Sequence, residues 1–190
     1  MRFGALSIDP RHVRTHRRCG ERTGGLHSQP LTALPGKDRS TGVSDDELSF
    51  IMDINLTEAL LCTRAVGPHM LARRSGKVIN IASWAGHRGG SDMVLYTTAK
   101  TALACFTRAQ ALEWASFGVH VNAISSGLVP DVVTFGEERV RRAAQRAEQT
   151  VPLKRTGRLR EVGLLALYLA SDASDYMTGQ TIPLDGGLSL

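Results

Sequence analysis

Apolar spacing divides the chain in two. From Ser44 onward, apolar residues recur at three- and four-residue intervals over long stretches, broken by short dense apolar runs, whereas residues 1 to 43 show little sustained period. The first long stretch opens on Ser44-Asp45-Asp46-Glu47. This is a capping box, with the serine as N-cap, Glu47 three residues on, and acids in the first turn where the helix dipole favours them. It predicts an amphipathic helix from about 45 to 74, ending before Gly76. KVINIAS (77 to 83) is a β-branched run suited to a buried strand. Leu95, Ala99, Ala102, Leu103, Phe106, Ala109 and Leu112 then keep helical spacing between 93 and about 117, where Gly118 can stop the helix. VHVNAI (119 to 124) predicts a second strand and GEERVRRAAQRAEQT (136 to 150) a charged helix. LREVGLLALYLASD (159 to 172) predicts a more apolar helix, and GQTIPLDGG (179 to 187) a last strand and turn.

Helices alternating with short apolar strands predict an α/β fold, a doubly wound parallel sheet with helices on both faces. The chain therefore divides into an irregular basic segment, 1 to 43, with one short strand over residues 3 to 8, and a folded part, 44 to 190.

Composition narrows the setting. At 190 residues with 42% hydrophobic and 22% charged residues, the chain has material for one soluble domain. No apolar stretch reaches membrane-spanning length, and the first twenty residues lack a signal-peptide core, so no membrane role and a cytoplasmic address are expected. Cys19, Cys62 and Cys105 are odd in number and fit a reducing compartment. The net charge of +5 sits in the front segment: residues 1 to 43 hold eight Arg or Lys against three Asp or Glu, and residues 44 to 190 hold fifteen of each. With one aromatic residue and no recognisable fold, that segment gives no case for nucleic acid as a partner. His12, His16 and Cys19 lack an evident fourth ligand, so no metal site is expected.

The candidate chemistry lies in IASWAGHRGGSDMVLYTTAK, residues 81 to 100. Tyr96 and Lys100 at i and i+4 place a phenol and an ammonium on one helix face, and Ser83 arrives from the end of the preceding strand. A free tyrosine, with a pKa of about 10, is a poor base at neutral pH. A nearby ammonium lowers that value, and reaching about 7 takes roughly 4 kcal/mol of differential interaction. Lys100 is positioned to supply it. Asn55 lies inside the first long helix, where its poor helix propensity calls for a reason.

Asn55, Ser83, Tyr96 and Lys100 resemble the catalytic tetrad of the short-chain dehydrogenase/reductase family. VNAISSGLV is similar to that family's VNAxxPG segment, and LASDASDYMTGQTIPLDGG to its carboxy-terminal signature. A Tyr-x3-Lys pair alone turns up by accident in roughly one chain in three or four; the added Ser and Asn offsets lower that to about one in a thousand, so the resemblance rests on the set. It covers residues 44 to 190 and is similar to the bacterial branch that includes 3-oxoacyl carrier protein reductases. The resemblance implies an oxidoreductase moving a hydride between NAD or NADP and a small carbonyl or secondary alcohol substrate. Tyr96 would be the acid/base, Ser83 would steady the substrate oxygen, Lys100 would hold the nicotinamide ribose, and Asn55 would order a water. Tyr96, Lys100, Ser126, Gly127 and Val129 would meet the cofactor, and Trp84, His87, Met93 and the 136 to 150 helix the substrate. A homodimer or homotetramer is implied through helix faces that include Leu60, Leu61, Phe106 and Trp114.

The sequence also departs from the family. Ser126 replaces the usual Pro, and Asp131 stands where a Thr commonly holds the carboxamide, a bond an ionised carboxylate cannot donate. The glycine-rich TGxxxGxG turn that receives the pyrophosphate has no counterpart, nor has the NNAG segment before the first long helix. The expected architecture is thus a truncated Rossmann-like sheet whose 77 to 83 strand forms an apolar edge. The competing reading is a catalytically impaired fragment, or a non-catalytic oligomerisation subunit, of the same family.

Overall fold

The computed structural model describes residues 41–90 and 93–190. The expected strand at residues 3 to 8 and the His12, His16 and Cys19 trio lie outside them. The capping box forms as its residue types require: Ser44 Oγ accepts from the Glu47 N–H, and the Glu47 carboxylate accepts from the Ser44 N–H at 3.0 Å. Helix α1 (Asp45–Met52) passes into one π-helical turn, Asp53–Thr57, before α2 (Glu58–Arg73). The single helix expected over 45 to 74 is therefore interrupted around Asn55, and such one-turn π insertions are common at functional sites. At its end Arg74, not a glycine, takes the left-handed conformation at φ 52°. Its guanidinium donates to Ser116 O and lies 5.6 Å from the centre of the Phe117 ring, contacts that offset the backbone cost.

Strand β1 (Gly76–Ser83), the short helix α3 (Ala85–Arg88) and helix α4 (Val94–Trp114) follow. Gly118, at φ 68°, turns the chain into β2 (Val119–Ser126). Helices α5 (Val132–Thr150) and α6 (Leu159–Ala170) then lead to β3 (Thr181–Leu184). The strands are parallel in the order β1-β2-β3, with Gly76 opposite Val119 through Ser83 opposite Ser126, and Ala123 opposite Thr181.

Side-chain parity along the strands shows both faces covered. Val78, Val119 and Val121 pack with Met70 of α2 and with Ala111 and Trp114 of α4, and Asn80 donates to Thr107 Oγ1 of α4 at 2.9 Å. Lys77, one residue away and so on the other face, reaches Asp175 just beyond α6 at 2.7 Å. Asn122 locks the approach to β3, donating to Met177 O at 2.9 Å and accepting from Gln180 N–H at 3.0 Å. The α/β class with helices on both faces of a parallel sheet is as the apolar spacing requires.

Among the described residues β1 pairs only with β2. The Trp84 N–H donates to Ser126 O, and alternate residues of a parallel strand bond to the same neighbour. The N–H and C=O groups of Lys77, Ile79, Ile81 and Ser83 consequently face outward, and the Ile81 side chain is 47% exposed. Among the described residues, β1 is thus the apolar edge expected.

Three details differ from expectation. Helix α5 begins at Val132 because Asp131 caps it, accepting from the N–H groups of Val133 and Thr134, and Gly136 breaks it at φ 74°, ψ 161°. Strand β3 is only Thr181–Leu184, and Asp185 carries the turn by accepting from Gly187 and Ser189 N–H groups, each at 2.9 Å. Trp114, expected at a subunit interface, is instead core: it is 6% exposed and stacks on Gly67, where an added Cβ would sit 2.7 Å from the indole. Leu112 at 84% and Leu60 at 37% remain exposed on these helices. No helix among the described residues is long and apolar enough to cross a membrane.

The Gly67–Trp114 contact yields a test. A Gly67→Ala substitution gains up to about 1 kcal/mol of helix propensity but forces the buried indole aside, typically a cost of about 1–3 kcal/mol. The expected result is a lower urea midpoint with an unchanged m-value; equal or higher stability would show that Trp114 is not held there.

Candidate active site

Ser83 and Ser126 end neighbouring strands and are Cα partners, so the β1–β2 ladder delivers both to the carboxyl edge of the sheet. The Ser83 hydroxyl is 5% exposed, and its oxygen accepts from the Ala85 N–H at 3.3 Å. An N–H can only donate, so the hydroxyl proton is left free for another acceptor. Helix α4 brings Tyr96 in its first turn and Lys100 in the next. Helix α3 braces α4 there: Thr101 Oγ1 donates to Gly86 O at 2.9 Å, and a Cβ at Gly86 would lie 3.1 Å from the Lys100 carbonyl carbon. Gly86 was not singled out from sequence, where it reads as one more loop glycine; only the packed helices reveal its use. Asn55, 3% exposed, donates from Nδ2 to Ile51 O at 2.9 Å within the π-helical turn. That turn packs on α4.

The electrostatics correct one expectation. Tyr96 is not lowered toward neutrality; burial pushes its phenol above the ordinary value, and a hydrogen bond with the Ser83 side chain offsets part of this. Lys100 Nζ lies over the Tyr96 ring, 5.8 Å from its centre, and donates to the main-chain oxygen of Ile81 at 2.9 Å. Burial also pushes the Lys100 amine down, against a pull upward from the Glu58 carboxylate. Glu58 was likewise missed from sequence, since an acid inside an amphipathic helix carries no distinguishing signal.

The 126 to 129 loop is clamped by its surroundings. The Gly127 N–H donates to Leu184 O at 3.1 Å, and a Cβ on Gly127 would meet Asp185 Cα at 2.6 Å, so glycine is required for this approach. Leu128 O accepts from the Gly157 N–H at 2.8 Å, and Val129 covers Gly157. Asp131 is committed to capping α5. The Thr134 hydroxyl and the main-chain donors hold its carboxyl below the ordinary value, so it stays an acceptor. An open cavity of about 80 Å³ adjoins this loop, lined by Leu128, Val129, Leu153, Arg155 and Arg158 among others. It does not include Ser83, Tyr96 or Lys100, and is therefore separate from them. Beside it, the Arg155 guanidinium holds Glu161 down to about 2. Trp84 packs with Ala147 of α5, Val151 and Leu188, which ties the 84 to 88 turn to the helix expected over the substrate; His87 is exposed.

These residues fit the reacting end of a nicotinamide cofactor: half-buried main chain at 126 to 129, a cation at Lys100 and a phenol at Tyr96, all at the strands' carboxyl edge where such sheets bind ligands. Nothing in the 190 residues corresponds to a glycine-rich pyrophosphate turn.

Fold and site together define a Rossmann-like α/β protein with its polar residues gathered at the strand ends. A family model described as enoyl-(acyl carrier protein) reductase matches residues 21–189, beginning upstream of the capping box. The 3-oxoacyl-[acyl-carrier-protein] reductase of Synechocystis sp. is 41% identical over 144 residues, 75% of this chain and 56% of that protein. A 3-oxoacyl-[acyl-carrier protein] reductase from Brucella melitensis with bound NAD superposes with TM-score 0.72 and 29% identity, covering 84% of this chain and 59% of that one. A putative 2-deoxy-d-gluconate 3-dehydrogenase from Agrobacterium tumefaciens with bound NADP gives TM-score 0.73 and 32% identity, covering 82% and 64%. The chain belongs to the short-chain dehydrogenase/reductase family. It spans less than two thirds of the length of each of these proteins.

The Ser83–Tyr96 bond is open to titration. In the difference spectrum against Tyr96→Phe, Tyr96 should ionise above the ordinary 10.0. Ser83→Ala should move it further up, because the bond that favours the phenolate is lost. A downward move would place the serine elsewhere.

Proposed function

We propose that the chain carries the reacting end of an NAD(P)-dependent oxidoreductase acting on a carbonyl or secondary alcohol, with Tyr96 as its acid/base. The observation that carries this reading is the Ser83–Tyr96 pair beside the 126 to 129 loop, with the phenol pushed up by burial. A phenol that keeps its proton at neutral pH is a donor.

NAD(P)H, when bound, supplies the hydride to the carbonyl carbon. Tyr96 would give its proton to the carbonyl oxygen, and the Ser83 hydroxyl, which hydrogen-bonds Tyr96 in the free chain, would turn its proton to the same oxygen and steady the charge that develops there. The product is a secondary alcohol and a phenolate at Tyr96, which must be reprotonated before the next turnover. Lys100 and the turn holding the buried Asn55 are the route the family resemblance suggests. Ser126, Gly127 and Val129 hold the nicotinamide end with their main chain, together with Tyr96 and Lys100. The relatives' names speak of 3-oxoacyl-[acyl-carrier-protein] and 2-deoxy-d-gluconate; an oxo group or a hydroxyl is the chemistry common to them.

The second reading, a catalytically impaired member serving as an oligomerisation subunit in a homodimer or homotetramer, has its own support. The sequence holds no glycine-rich turn, Lys100 is turned to Ile81, and Leu112 is 84% exposed.

Fluorescence titration with NADPH and NADH separates the two. The oxidoreductase reading expects saturable binding and reduction of a small ketone, with kcat/KM falling by about 10²–10⁴ in Tyr96→Phe while binding persists. No binding at millimolar dinucleotide, with a dimer or tetramer by light scattering, would leave the subunit reading standing.

A further inference from the structure

Glu161, in the first turn of α6, accepts from the Arg158 N–H at 2.8 Å, the bond an ordinary helix cap makes. The same carboxylate also takes both arms of a guanidinium: Arg155 Nη2 donates to Oε1 at 2.7 Å and Nη1 to Oε2 at 3.0 Å. Both ends of the 155 to 158 turn are thereby tied to one carboxyl group. The turn is entered through Lys154, a non-glycine residue at φ 54°, a conformation that persists only where its surroundings over-determine it. Gly157 lies inside the turn. Its N–H donates to Leu128 O at 2.8 Å, and a Cβ there would come within 2.8 Å of the Val129 side chain. The Leu128–Val129 peptide is trans and planar, so drawing its oxygen to Gly157 turns the Val129 N–H the opposite way. An open cavity of about 80 Å³ adjoins Leu128, Val129, Arg155 and Glu161. Apolar contact therefore leaves the loop room to shift, and the hydrogen bond supplies the direction.

We infer that Glu161 is a positioning residue for the 126 to 129 loop: by holding Arg155 and the Arg158 N–H it sets Gly157, and Gly157 aims the Val129 N–H. The Arg155 and Glu161 side chains are 48% and 34% exposed, and a lone ion pair so placed adds little to overall stability. A bidentate pair joined by a main-chain donor fixes direction instead. Helix capping alone would need no guanidinium, and Arg155 reaches Glu161 from outside the helix.

This rests on the reading of the 126 to 129 loop as the segment that holds the nicotinamide end. Its test needs no dinucleotide, so failure to bind NADPH would end the proposed activity and leave the anchoring of the loop to its own result. Amide hydrogen exchange of the free full-length protein is compared with Glu161→Ala, Arg155→Met and the double variant. The control is the Gly127 N–H, which lies in the same loop but donates to Leu184 O of β3. The Gly157 N–H should exchange about tenfold faster or more in each single variant, while Gly127 stays within about twofold of the parent. The double variant should match Glu161→Ala to within about twofold, because the two side chains act through one contact. The coupling across the hydrogen bond from the Gly157 nitrogen to the Leu128 carbonyl carbon, present in the parent, should be lost in Glu161→Ala. Unchanged Gly157 exchange, or equal acceleration of Gly127, overturns the inference. So does a response to Glu161→Ala with none to Arg155→Met, the result a helix cap alone would give. If Glu161→Ala does not fold, Arg155→Lys, which keeps the charge and loses the fork, carries the same comparison with the same outcomes.

Discussion

The eight-residue parallel ladder between β1 and β2 is the constraint on which the site depends. Its register sets Ser83 beside Ser126, so a serine hydroxyl and the 126 to 129 loop reach the carboxyl edge at the same level. A slip of one residue would turn Ser83 to the opposite face of the sheet and away from Tyr96. Parallel pairing in turn demands a crossover, and α4 is that crossover. Because it must run back over the sheet between two strands pointing the same way, its first turn starts at the edge where β1 ended. Tyr96 and Ser83 therefore meet at a point that neither strand nor helix could reach alone. The contact of Trp114 with Gly67 holds the far end of α4 against α2, and the core around Met70, Val119 and Val121 fills the space between helix and sheet.

Burial governs the chemistry at that point. Tyr96 and Lys100 are both pushed toward their neutral forms, in opposite directions on the pH scale, because removal from water penalises charge of either sign. Such a phenol keeps its proton at neutral pH and resists becoming a phenolate. The Ser83 hydrogen bond and the charge of Glu58 each oppose one half of that tendency. The same lysine also donates to Ile81 O of β1, a main-chain oxygen that points away from β2.

Much of the architecture was legible in the spacing of apolar residues. The Ser44 capping box, the KVINIAS and VHVNAI strands, the helix ending at Gly118 and the alternation that demands a parallel sheet all depend on neighbours a few positions apart. The resemblance that singles out Asn55, Ser83, Tyr96 and Lys100 was legible as a set of offsets. What could not be read was the use made of each side chain. Trp114 has helical spacing whether it faces a partner subunit or the core, and only the absence of a side chain at Gly67 decides for the core. Asp131 replaces a threonine in the family pattern, and its commitment to the first turn of α5 depends on where that helix starts. Asn55 looked out of place in a helix; the π-helical turn that accommodates it leaves no mark in periodicity.

The sequence by itself determined the elements, their order, the parallel pairing and which residues could do acid/base chemistry, because those properties follow from short-range periodicity and from residue type. Only the tertiary structure decided that Tyr96 is raised and not lowered, that Lys100 bonds to Ile81 O, and that Ser83 meets Tyr96 while accepting from the Ala85 N–H. Those depend on how much water each group loses and on which distant main-chain group lies within 3 Å, and both are set by packing between residues far apart along the chain.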